Sequence, residues 1–218
     1  MGKVTILNTK QKLLLDEFSK DPFLSTHFYF TGGTALSLYY LQHRESVDLD
    51  FFSREPFDPQ DVIEKVASWK EKYNCTVDYT QVVNTHIFQL TFSNSQTVKI
   101  DFVLYPHRQV KESKVINGIA VDSLMDIAVN KLLTVEQRSE VKDFVDLYFL
   151  LKEFTIWDLM EGVKVKFKIR LDPMVIGSDF LKVEDFEYLP KMIKDLDLET
   201  LKSVFRQKAK ELSKRSVE

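Results

Sequence analysis

Three carboxylates and a pair of glycines carry the densest chemical signal in this chain. Asp48 and Asp50 stand two apart in Val47–Phe52, and Asp101 sits in Val98–Val103. On a strand, residues two apart point to the same face, so Asp48 and Asp50 are expected side by side. Adjacent carboxylates repel and are costly to bury unpaired. A divalent cation that prefers hard oxygen ligands, Mg²⁺ above all, resolves the conflict. Gly32-Gly33 follows an aromatic run and precedes a helix-like stretch. Glycines there let the backbone approach a ligand closely, and the open N–H groups of a helix start favour an anion. A phosphate cradle beside a Mg²⁺ site is what phosphoryl transfer needs. If the Asp101 strand lies beside Val47–Ser53, the three acids converge. Asp101 then ligates metal and takes the proton of an attacking hydroxyl. A lone Gly-Gly is usually a turn and a lone Asp-x-Asp often an exposed strand face. The order and context make the set distinctive.

The elements that must position these groups follow from periodicity. Asn8 to Lys20 reads as a helix stopped by Asp21-Pro22. Phe28 to Thr31 reads as a strand, Thr34 to Arg44 as a helix and Val47 to Ser53 as a strand. Asp58-Pro59 opens a helix to about Lys72. Cys75–Val83, His86–Phe92 and Val98–Leu104 read as three strands, with Asn94-Ser95 at a turn. After Asn117-Gly118 the pattern becomes helical. Asp122 is expected as the N-cap of a helix through Gln137. Lys142 to Phe154 is a second helix, and Thr155-x-x-Asp158 a capping box for a third. The expected fold class is therefore α+β: a mixed sheet with flanking helices over 1–118, then a mostly helical domain over 119–218.

Composition bounds the partners. The 218 residues include 17 Phe but 6 Gly and 6 Pro, with 29% charged residues and a formal net charge of −3. This is the profile of a globular protein with a packed core rather than of a disordered or uniformly basic one. The single cysteine, Cys75, excludes an intrachain disulfide and fits a reducing compartment. The opening MGKVTILNTKQKLL lacks the apolar run of a signal peptide, and apolar stretches are too short to span a bilayer. A cytoplasmic protein without membrane contact is expected. The four histidines have no partner at ligand spacing, so no zinc site is expected. Charge is uneven: Leu171–Thr200 carries three lysines against eight acids, and Leu201–Glu218 six basic residues against two acids. A basic tail can meet a polyanion locally.

Gly32–Leu36, His43-Arg44-x-Ser46 and Asp48–Phe52 resemble the first motif of the AbiEii/AbiGii-type nucleotidyltransferase toxins, within the polymerase-β-like nucleotidyltransferase superfamily. Asp101 is similar to the second motif. Lys131, Arg138, Lys142-Asp143 and Asp146-Leu147-Tyr148 resemble the third. Fourteen residues separate Gly33 from Asp48, a gap suited to this branch. The resemblance runs from about Thr31 to Leu151. It implies a nucleotidyltransferase sheet and a toxin that moves NMP from an NTP to an RNA acceptor, with tRNA the acceptor of related toxins. It also implies a winged-helix antitoxin partner and a helical half contributing to the nucleotide site. It implies catalytic roles for Asp48, Asp50, Asp101, Lys131 and Asp146, with Asp48, Asp50 and Asp101 on Mg²⁺. Gly32, Gly33, Thr34, Arg44, Lys131 and Arg138 are expected at the nucleotide.

For several basic residues the sequence leaves two readings. Lys131 is a suitable point charge for NTP phosphates, with Asp146 orienting it or the nucleotide. Arg138 and Lys142 share a face only if the helix continues between them. Lys142, Asp143 and Asp146 also fit an intrahelical salt-bridge set. Arg44 reaches a phosphate, buffers the acids or lies on the surface, and His43 is expected to be structural. Lys164, Lys166, Lys168 and Arg170 make a basic stripe on a strand or a solvated rim on a helix whose apolar face is Trp157, Met160, Val163 and Phe167. The capping box favours the helix. The same chemistry on a small molecule such as an aminoglycoside, and a catalytically silent nucleotide-binding module, are the competing functions.

Overall fold

The computed structural model describes residues 6–215; the first five residues, and Ser216–Glu218 of the basic tail, lie outside the described residues. The chain forms two compact units. One comprises the chain up to Tyr40 with Ser46–Arg108 and Glu112–Ser123; the other comprises Leu41–Glu45, Gln109–Lys111 and the chain from Leu124. No helix among the described residues is long and apolar enough to cross a membrane.

The first unit opens with α1 (Thr9–Lys20) and α2 (Pro22–His27), then β1 (Tyr29–Thr31) and α3 (Gly32–Leu36). β2 (Asp48–Ser53), α4 (Pro59–Tyr73), β3 (Thr76–Val82), β4 (Thr85–Thr91), β5 (Thr97–Leu104), β6 (Lys114–Ile116) and β7 (Ile119–Val121) follow. The strands make one seven-stranded sheet in the order β3-β4-β5-β2-β1-β7-β6. β2 pairs parallel with β5 and antiparallel with β1. The expected mixed sheet with flanking helices is therefore present. Local signals set its helix ends: Asn8 and Gln11 close a capping box on α1, and Asp58 caps α4 ahead of Pro59.

Strict alternation gives the sheet two chemically opposite faces. In β2, Leu49, Phe51 and Ser53 are buried, while Asp48, Asp50 and Phe52 on the other face are partly accessible. The abundant phenylalanines fill the first face. Phe51 stacks on Phe18 of α1 with ring centroids 3.9 Å apart, and on Phe102 of β5 at 5.5 Å. Such ring pairs add about 0.5–1.5 kcal/mol each beyond the area they bury. This packing is what holds the acidic residues on the opposite side.

Two local expectations fail here. The helix after the glycines begins at Gly32, widens to a π-turn over Ser37–Leu41 and stops where Gln42 takes a positive φ of 49°. His43 and Arg44 are thus not helical. Asp122 is not an N-cap. It is fully buried one residue short of the position before α5, and its carboxylate accepts a bond from Thr31 Oγ1 at 3.1 Å. A tertiary partner has outcompeted the local capping role.

The second unit contains α5 (Leu124–Gln137), α6 (Val141–Leu150), α7 (Ile156–Phe167), α8 (Pro173–Phe180), a 3₁₀ turn (Leu181–Asp185) and α9 (Leu198–Arg215). Gly162 lets α7 press against α5: a Cβ there would lie 2.3 Å from Val129 Cγ2. Phe144, Phe180, Phe186 and Phe205 meet edge to face at 5.0 Å. The capping box at Thr155 and Asp158 forms. The buried stripe of α7, however, is Ile156, Leu159, Gly162, Val163 and Lys166 rather than the expected one, and Trp157 is exposed. Lys166 is not part of a solvated rim, because its ammonium is buried on Asp126 at 2.8 Å. In α9, Leu201, Phe205 and Leu212 are buried, as expected. Its basic residues are partly spent on neighbours: Arg206 pairs with Glu184, and Lys208 with Glu211.

Candidate active site

The acid-bearing face of the sheet is built by register. Asp50 on β2 stands directly opposite Asp101 on β5, and Asp48 opposite Lys99. Thr31 on β1 is the other neighbour of Asp50. Because cross-strand partners share a face, Asp48, Asp50 and Asp101 all lie on one side of the sheet. Gly32 follows directly with φ of +73°, a backbone region in which an L side chain is strained. A Cβ at Gly32 would lie 2.0 Å from Asp50 Oδ2. The first glycine is thus the condition for the carboxylate's position. The Thr34 side chain is engaged within the unit. It is fully buried, and its hydroxyl bonds to the main-chain oxygen of Asp48, tying α3 to β2. Gly33 is also buried.

Lys99, which the sequence reading passed over, belongs to this acidic face. Its Nζ lies 2.6 Å from Asp101 Oδ2. Burial works against its charge. The hydrogen bond and charge of Asp101, with the fields of Asp48 and Asp50, outweigh burial and hold its pKa above the ordinary lysine value. The signal that could have found it is simple. It stands two before Asp101 on a strand, so alternation puts both on one face.

Among the described residues, no group of three or more His, Cys, Asp or Glu side chains is arranged to hold a metal ion. The donor set nevertheless fits Mg²⁺, which is commonly held by one or two carboxylates together with substrate phosphates rather than by a closed protein cage. Asp48 and Asp50 supply such a pair of hard donors on one strand face, with Asp101 directly opposite Asp50.

A substitution at Gly32 probes this arrangement. Gly32→Ala is expected to cost about 1–2 kcal/mol for the left-handed backbone. It should also displace the Asp50 carboxylate and abolish most of the nucleotidyl transfer that the family resemblance implies. Urea unfolding and a labelled-NTP assay check both effects. Wild-type stability and activity in the variant would show that the acids do not depend on this close approach.

In the second unit, the motif around Lys131 forms a buried ionic network. Lys131 Nζ lies 2.7 Å from Asp143 Oδ1 and 2.6 Å from Asp146 Oδ2. Asp146 also receives Arg44 through Nε at 2.6 Å and Nη2 at 2.8 Å, and His43 Nε2 at 2.7 Å. Arg138 Nε reaches Asp143 Oδ2 at 2.8 Å. Arg44 is 3% exposed. It is not a surface residue: its guanidinium clamps Asp146. Helix α5 ends before Arg138, so no continuous face joins Arg138 to Lys142. Lys142 pairs with Glu140 at 3.0 Å, so the intrahelical set with Asp143 and Asp146 does not form.

The electrostatics follow from this pairing. Burial penalises the Asp146 carboxylate, but the charges of Lys131 and Arg44 and the bonds from His43 and Arg44 hold its pKa well below the usual range. Asp143 is lowered despite burial, by Lys131 and Arg138. Lys131 is raised despite burial, by Asp146 and Asp143. His43 is pushed down, chiefly by burial. It is therefore neutral near pH 7, and since an ionised Asp146 only accepts, the His43 proton sits on Nε2.

Comparison with known proteins supplies the family. The uncharacterized protein aq_aa25 of Aquifex aeolicus (strain VF5) is 33% identical over 195 residues, covering 84% of this chain and 87% of that protein. The fold is similar to JHP933 from Helicobacter pylori, with a TM-score of 0.58, 23% identity and coverage of 96% of both chains. It is also similar to MenT4, a nucleotidyltransferase toxin from Mycobacterium tuberculosis H37Rv, with a TM-score of 0.55, 14% identity and coverage of 92% of this chain and 82% of that one. Residues 13–215 match the family described as nucleotidyl transferase AbiEii toxin, type IV TA system. The chain belongs to the AbiEii nucleotidyltransferase toxin family.

Proposed function

We propose that this chain transfers NMP from an NTP to a hydroxyl of an RNA acceptor, with tRNA as the acceptor class. The observation that carries the reading is the register of Asp50 against Asp101, with Asp48 on the same face and Gly32 closing on Asp50. Asp48, Asp50 and Asp101 would hold Mg²⁺. Bound there, Mg²⁺ neutralises charge developing on the transferred phosphoryl group. Asp101 accepts the proton of the attacking hydroxyl as the new P–O bond forms and pyrophosphate leaves. Lys131 binds an NTP phosphate, and Asp146, gripped by Arg44 and His43, fixes where Lys131 can reach. The toxin–antitoxin character of the family supports a winged-helix antitoxin as partner.

Incubation with each labelled NTP, Mg²⁺ and total RNA tests the reading. One RNA size class should become labelled, with tRNA the expected band. No transfer from any NTP to RNA would overturn it, and transfer to small acceptors such as aminoglycosides alone would favour the competing acceptor class. Within the same assay, in protein that thermal melts show to be folded, Lys131→Ala should chiefly raise the KM for NTP, because a phosphate contact made in ground and transition states alike is lost. An unchanged KM would remove Lys131 from the nucleotide.

A further inference from the structure

The acid-bearing face already carries a cation of its own. Lys99 stands opposite Asp48 across β2 and β5 and shares its strand face with Asp101, which it holds at 2.6 Å. A carboxylate oxygen bonded to an ammonium is not open to a dication. The two cations also repel at such range. Lys99 is not locked, since its side chain is 34% exposed against 13% for Asp101. A flexible four-carbon stem can carry a compact charge away from such a site.

We propose that Lys99 is an internal counter-ion of the Asp48, Asp50 and Asp101 cluster that competes with the divalent cation and must leave Asp101 for it to bind. Lys99 is thus a positioning residue that sets the divalent-ion affinity of the site. The inference rests on the proposed metal role of the three acids. Without a counter-charge the face would hold three like charges within two strand rows. With Lys99 in place, the free protein keeps the acids together, and tight divalent binding waits for a substrate whose phosphates add ligands.

The competition predicts a change opposite in sign to damage. Removing the charge should tighten binding of a divalent ion, whereas a disturbed site would weaken it. Binding of Mn²⁺ alone to the full chain can be followed by the loss of the free-ion electron paramagnetic resonance signal. Lys99→Met and Lys99→Gln should each bind Mn²⁺ on the order of 2–5-fold more tightly than wild type, the scale of relieving one partly exposed ion pair. Lys99→Arg, which keeps the charge, should stay near wild type. The neutral variants should also show a larger rise in Tm on adding Mg²⁺. Circular dichroism reports whether each variant folds, and two neutral replacements keep the test from hanging on one. Equal or weaker Mn²⁺ binding in folded neutral variants overturns the proposal, as does an absence of Mn²⁺ binding in wild type and variants alike. Failure of wild type to take up Mn²⁺ even with ATP present would instead sink the metal reading of the site.

Discussion

Asp101→Asn is expected to lower the rate of nucleotidyl transfer by on the order of 10²–10⁴-fold, the usual scale for losing a general base. The substitution nearly preserves shape while removing both the negative charge and the proton acceptor. Asp101 faces Asp50 in register and bonds Lys99, so the change falls at the centre of the acidic face. Its structural cost should be small, up to about 1 kcal/mol, because the Asp101–Lys99 pair is partly exposed. NTP binding should suffer much less than turnover, since Asp48 and Asp50 keep their charges. Single-turnover transfer of a labelled NMP separates the two effects, and thermal melts exclude unfolding. If the chain inhibits growth when expressed in cells, the variant should relieve it. Full transferase activity in a well-folded Asp101→Asn protein would show that Asp101 is not the base. Asp48→Asn makes the contrast: it should weaken Mg²⁺–NTP binding itself, which calorimetry measures.

Much of this face is legible in the sequence because a strand announces itself locally. The period of two around Asp48, Asp50 and Asp101 requires only neighbouring residues, and the sheet bears it out. Capping boxes at Asn8 and Thr155 are equally local. What the sequence does not disclose is pairing over distance. That β2 runs beside β5 with Asp50 facing Asp101 is decided by strand order, not by either strand alone. The same limit explains the errors. Lys166 looks like one of a row of surface lysines until Asp126, forty residues earlier, is seen beneath it. Asp122 has the type and place of a helix cap, yet Thr31 claims it from 91 residues away. Arg44 lies in a stretch with helical composition, and the π-turn and the positive φ of Gln42 that free it from the helix carry no strong local signal. Lys99 was legible and overlooked, since strand alternation alone joins it to Asp101.

Asp146→Asn is expected to be the most damaging single change in the helical unit. It removes the partner of Lys131, Arg44 and His43 at once and leaves two buried cations without it. Breaking a buried pair by deleting one member commonly costs about 3–5 kcal/mol, a large share of the roughly 5–15 kcal/mol that holds a domain folded. Denaturant unfolding should show the loss, and Arg44→Met added to Asp146→Asn should recover part of it by removing one stranded cation. If Asp146→Asn unfolds like wild type, the network does not stabilise the unit. The same network fixes the response to acid. Asp146 has its folded pKa depressed, so its contribution is present above the unfolded value and is lost as pH falls through the folded one, which lies well below 3.8. His43 is also depressed, here from 6.5 and mainly by burial. Between 6.5 and its folded value the unfolded chain binds the extra proton, so stability falls as pH falls across that window. The slope from one such group approaches about 1.4 kcal/mol per pH unit. His86, lowered by burial too, acts in the same direction. His43→Asn should therefore flatten, but not abolish, the loss of stability as pH falls below about 6.5, the ordinary histidine pKa. Urea unfolding at a series of pH values reads the slope directly. An unchanged slope in the variant would mean that His43 binds its proton alike in the folded and unfolded chains, so that burial does not set its titration.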